Sequence, residues 1–117
     1  MTNTHKDLDV WKSGIVLVED IYKITKLFPN EELYGMVSQM RRASVSIPSN
    51  IAEGYARDSK KELIHYLYIS LGSLSELETQ LIISTNLGYI KDESKLDDVE
   101  ILRRMLLNLI KYHKSKL

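Results

Sequence analysis

Apolar positions recur every three or four residues along most of the chain, and only short clusters of turn-forming residues interrupt them. Phe28-Pro29-Asn30, Arg57-Asp58-Ser59 and Leu87-Gly88-Tyr89 divide the pattern into helical segments at about 7–28, 31–57, 60–87 and 95–115. No alternating run bounded by turn residues competes as a strand. Connections this short force consecutive helices to run antiparallel. The pattern predicts an all-α fold in a single domain, an up-down-up-down antiparallel four-helix bundle.

The first segment carries two apolar seams. One is Leu8, Trp11, Ile15, Val18, Tyr22 and Thr25; the other is Val10, Gly14, Leu17, Ile21, Ile24 and Phe28. Together they cover roughly 200° of the helix surface, whereas a core-facing helix needs a stripe of about 100° or somewhat more. Two seams imply two partners, and the second seam, with Val10, Leu17, Ile21 and Ile24, is assigned to a neighbouring subunit. The alternative is that this helix is more central in a short bundle.

The second segment holds an apparent contradiction in RRASVSIPSNIAEGYAR, residues 41–57: a proline and a glycine inside a helical pattern. On a helical wheel Leu33, Met36, Val37, Met40, Ser44, Ile47, Ile51 and Tyr55 fall on one face. Arg42, Ser46, Ser49, Glu53 and Arg57 fall opposite, with small residues between. The period passes through Pro48 without slipping, which favours a helix kinked near Pro48 over a loop. Pro48 leaves the Ser44 carbonyl without its helical donor, and nearby Ser or Asn side chains are the expected substitutes. Breakage of the helix at Pro48 is the competing outcome. Gly54 costs about 1 kcal/mol relative to alanine in a helix, so a close backbone approach is expected there. Arg41 and Arg42 are expected to reach a carboxylate on another helix, with Glu76 and Glu78 as candidates.

The third segment opens with Ser59 and Glu62 at capping-box spacing, and Gly88 suits its stop. The fourth presents Leu96, Val99, Leu102, Leu106, Leu109 and His113 on one stripe and Ile101, Met105 and Tyr112 on the next. Its acids come early and its bases late, which complements the helix dipole; that use is favoured over a nucleic-acid patch.

Composition narrows the chemistry. Sixteen basic and sixteen acidic residues cancel, which weighs against strong non-specific nucleic-acid binding. Cysteine is absent, which removes disulfides, zinc–thiolate sites and thiol catalysis. The start lacks an apolar leader core, and the run Ile15–Val18 falls far short of the ~20 residues of a membrane span. A soluble, cytoplasmic protein is expected. Phosphate-binding glycine loops and zinc-protease motifs are missing. Glu62-Leu63-Ile64-His65 has di-iron spacing without the second copy such bundles need. No catalytic residue, metal, cofactor or small-molecule substrate is predicted.

The run Arg41-Arg42-Ala43-Ser44-Val45-Ser46-Ile47-Pro48-Ser49-Asn50-Ile51-Ala52-Glu53-Gly54 resembles the signature of the 23S rRNA intervening-sequence protein family, small bacterial four-helix bundles. Leu71 to Leu81 with Leu87-Gly88-Tyr89 is similar to its second signature, and Leu8 to Lys12 to its opening. Pro48, Ser49, Asn50, Glu53, Gly54, Glu76 and Glu78 are the motif positions so matched. The resemblance implies a homopentamer, as in related accessory proteins of diversity-generating retroelements, which associate with a reverse transcriptase and nucleic acid. Those relatives are notably basic, and this chain is neutral. The reading that follows is a non-enzymatic oligomer binding RNA or a nucleic-acid-processing protein through Arg41, Arg42, Arg57, Arg103, Arg104, Lys111 and Lys114. A protein-interaction scaffold without nucleic acid is the alternative.

Overall fold

In a computed structural model, which describes residues 4–117, the chain folds into helices α1 (Asp9–Thr25), α2 (Ser38–Tyr55), α3 (Lys60–Asn86) and α4 (Ser94–Lys114). Among the described residues there is no strand. Each helix packs on the next and α4 returns to α1, giving a four-helix bundle of 45 × 23 × 21 Å. The α2–α3 contact is by far the most extensive, and α1–α4 the least.

Local chemistry sets the ends. Ser59 Oγ accepts the Glu62 N–H at 3.1 Å at the start of α3. At its far end Gly88 takes φ +84°, and the Gly88 and Tyr89 N–H groups reach the Thr85 and Ser84 carbonyls at 3.0 and 2.9 Å. That pair of bonds is a Schellman motif, in which a glycine adopts the left-handed conformation without a Cβ penalty. Before α4, the Asp92 carboxylate accepts the Ser94 N–H at 2.9 Å.

The core is built from Ile21, Met40, Ile47, Ile51, Leu67, Leu74, Leu77, Val99 and Leu106, all essentially inaccessible to solvent. Its composition corrects the assignment of the α1 seams. Val10, Leu17 and Ile21 are buried in this chain's own core, and Ile24 packs against it. Val10, Leu17 and Ile21 are not free to face a neighbouring subunit, whereas Ile24 stays partly exposed. The seam left half-covered is the other one, where Trp11, Ile15 and Val18 lie beside Val45, Ser49 and Ala52 of α2.

Pro48 does not break its helix: α2 is continuous from Ser38 to Tyr55. The proline is buried, and α1 approaches it at Gly14. Among the described residues, no side chain makes the expected substitution at the Ser44 carbonyl. Asn50 Nδ2 donates to the Ser46 carbonyl and hydroxyl, both at 2.8 Å, and Ser70 Oγ donates to the Ile47 carbonyl at 2.8 Å. The residue that leaves helical geometry is Gly35, at φ −110° and ψ −107°, within the π-helical turn Leu33–Val37. A single 3₁₀ turn, Asn30–Glu32, precedes it. The helix expected over 31–57 is therefore regular only from Ser38, which leaves Leu33 and Tyr34 pointing away from the core.

Candidate nucleic-acid interface

The seven predicted cations do not form one patch, because the helices carry them to different places. Arg41 is a structural residue. Its Nε donates to Thr25 Oγ1 at 2.9 Å and its guanidinium lies over the Tyr22 ring at 4.5 Å. It also reaches the Tyr22 carbonyl at 3.3 Å, so a cation closes the C-terminal end of α1, where the helix dipole favours positive charge. Arg103 is committed too: it contacts Glu78 at 2.6 Å and Glu100 at 3.7 Å. The partner expected for Arg41 or Arg42 is thus taken by Arg103. Arg104 is exposed and leans on Glu100 at 3.7 Å.

Arg42 is exposed and, among the described residues, has no ion-pair partner. It lines a polar groove of about 520 Å³ between α2 and α3 together with Gln39, Ser46, Ser73, Glu76 and Gln80. Ser46 and Ser73 share a hydrogen bond of 2.8 Å across it. The two sequence signatures therefore face one another. Their small residues also serve packing: a Cβ on Gly54 would lie 3.0 Å from Leu63 Cδ1 and Tyr66 Cβ.

Arg57, Lys111 and Lys114 do share one end of the bundle. The antiparallel order brings the C-terminal end of α2, the first turns of α3 and the last turns of α4 to one end of the bundle. Lys60, Lys61 and Lys116 join them there. The acids of the α4 N-terminus lie at the opposite end, where Lys95 bridges Asp20 and Asp98 at 3.0 Å each. These hydrogen bonds hold the Lys95 ammonium above its ordinary pKa. A neutral chain is thereby polarised along its long axis.

His113 organises the basic end. Its Nε2 meets Tyr55 Oη at 2.8 Å and its Nδ1 meets Lys60 Nζ at 3.1 Å. An ammonium has no acceptor, so Nδ1 must accept and the ring proton sits on Nε2, donated to Tyr55. Burial, and after it the Lys60 charge, push the His113 pKa down. Burial, and after it Tyr112, push the Tyr55 hydroxyl up. Tyrosines are threaded through the same region. Arg57 donates to Tyr66 Oη at 2.7 Å, Lys114 Nζ lies 5.0 Å from the Tyr68 ring, and Lys116 Nζ lies 5.4 Å from the Tyr112 ring. Sequence reasoning missed Lys60, Lys61, Lys116 and these rings. The signal was there in the antiparallel order, which alone sets the start of α3 beside the end of α4.

Four packed helices and a charge-polarised axis define the class: a small four-helix-bundle protein. The sequence pattern of the 23S rRNA-intervening sequence protein family matches residues 6–108, and the chain belongs to that family. Among solved structures, a protein of unknown function from the S23 ribosomal protein family of Bacteroides thetaiotaomicron is similar to it. The two are 27% identical, with a TM-score of 0.80 over 87% of this chain and 95% of that one. Among curated proteins, none matches this chain.

Proposed function

We propose that this protein is a non-enzymatic, self-associating module of the bacterial cytoplasm that binds RNA through the basic end of its bundle. The observation that carries the reading is the gathering of Arg57, Lys60, Lys61, Lys111, Lys114 and Lys116 by three helix termini, away from the acids of α4. Cations grouped at one end create a local field that net neutrality hides. The description of the family points to RNA as the polyanion to try first. Self-association as a homopentamer would repeat the basic end fivefold. Its contact is assigned to the half-covered α1 face of Trp11, Ile15 and Val18, because the other seam is consumed by the core.

The test is fluorescence anisotropy with fragments of 23S rRNA across a salt series. Binding through several phosphates should weaken by orders of magnitude between about 50 and 200 mM salt. Reversing Lys60, Lys61 and Lys111 to glutamate should abolish it. Absence of binding at low salt rejects the reading. A second reading, a scaffold for a protein partner, is favoured by Tyr34, 93% exposed beside the exposed Leu33. It predicts nuclease-resistant capture of a polypeptide that is lost with Tyr34→Ser.

A further inference from the structure

Resting on the RNA-binding reading, we infer that the basic end selects single-stranded RNA, with Tyr68 and Tyr112 as platforms for unpaired bases. Neither ring is needed to fill the core: Tyr68 is 43% exposed and Tyr112 55% exposed, so each leaves much of its apolar surface to water. Each has an ammonium over its face, Lys114 Nζ at 5.0 Å and Lys116 Nζ at 5.4 Å from the respective ring centroids, so a stacking base takes the place of the ammonium and frees it to meet the phosphate. A nucleotide presents the complementary pair, a flat base joined to a charged phosphate. Aromatic faces set among cations are the usual equipment for binding single strands, because every base has a face that can stack.

The platform is also held in place. Tyr112 packs edge-on against His113, with centroids 5.1 Å apart, and His113 is pinned by Tyr55 and Lys60. Tyr55 packs on the other edge of the cluster, 5.7 Å from His113. A ring whose backing is fixed loses little freedom when a base stacks on it. Of the acids at this end, Asp58 is exposed and, among the described residues, has no ion-pair partner, whereas two others are occupied. Glu53 pairs with Arg57 at 3.6 Å, and Glu62 serves the α3 cap with Ser59. A duplex stacks its bases on one another and leaves only the two end pairs open, so it engages the lysines far more than the rings.

The experiment compares labelled oligouridine of about ten nucleotides, within the site size of small single-strand binders, with a blunt RNA duplex of equal length. The protein is used as the wild type, Tyr68→Leu, Tyr112→Leu, and the corresponding Phe variants, each checked for helicity. Expected are preference for the single strand and a loss of about fivefold or more per leucine substitution. Phenylalanine should retain affinity, and duplex binding and the salt slope should stay unchanged. Equal binding of both RNAs with no effect of leucine overturns the stacking inference and leaves the charge-based reading standing. No binding of either RNA overturns both.

Discussion

Gly54 of α2 lies so close to Leu63 of α3 that a Cβ at the glycine would stand 3.0 Å from the Leu63 Cδ1 and 3.2 Å from its carbonyl oxygen. The helix interior would otherwise favour alanine by about 1 kcal/mol. The contact with backbone cannot yield as a flexible side chain would, so Gly54→Ala should destabilise by about 1–3 kcal/mol, read from urea denaturation. Gly14 gives the contrast. Its Cβ would meet Pro48 at 3.5 Å, ordinary contact distance, so Gly14→Ala should be neutral or stabilising. A stabilised Gly54→Ala would show that α2 and α3 are not packed so closely.

Replacing Ile15 and Val18 together by glutamate should reduce the sedimentation coefficient to that of a smaller species with helicity kept. Both residues are only half-covered by their own chain. Ile21→Glu should instead unfold the bundle, because it places a carboxylate at a position with 0% exposure and no partner for it. An oligomer that survives the double change places the interface elsewhere.

Arg103 and Lys111 should separate stability from RNA binding. The Arg103–Glu78 contact is 2.6 Å with side chains 18% and 32% exposed, so its loss in Arg103→Ala should cost about 1 kcal/mol, discounted for solvent screening. RNA affinity should barely change. Lys111→Ala should do the reverse, lowering affinity and the salt slope while leaving the denaturation midpoint in place. The opposite pattern would move the RNA surface to the middle of α4.

The buried His113 should make stability depend on pH in a defined direction. Its folded pKa is pushed below the ordinary value of 6.5, so the unfolded chain takes up the proton first. Stability then rises with pH across this window. The contribution is complete above about 6.5 and is lost as pH falls toward and past the folded value. Protonation would set an N–H on Nδ1 against the Lys60 ammonium. A His113→Gln variant should show a flatter stability profile between pH 7 and 5, these being about the limits within which only histidines titrate. An unchanged slope would mean that the histidine is not held neutral.

The elements were legible because their causes are local. Ser59 and Glu62 cap α3 at the spacing the sequence displays, and Gly88 stops it by supplying a left-handed residue. Gly54 announced a close approach by its cost. The turn at Gly35 was not legible: Leu33, Met36 and Val37 keep helical spacing, and only the packing shows Val37 inward while Leu33 is exposed. Likewise, Arg41 carried no sign in the sequence of its tie to Thr25 and Tyr22, since nothing local distinguishes it from Arg42.

By itself the sequence determined that there would be four antiparallel helices, where most of them end, and which residues share a face. These follow from periodicity, caps and connection length, all of which act over a few residues. Tertiary structure alone decided which α1 seam enters the core, because both seams are apolar and a helical wheel contains no neighbours. It also decided where charge gathers. His113, Tyr55 and Lys60 lie more than fifty positions apart for either contact of the histidine, and the antiparallel return of α4 makes them one cluster. Net charge is a sum over the chain, whereas a partner meets the field at one end of a 45 Å bundle.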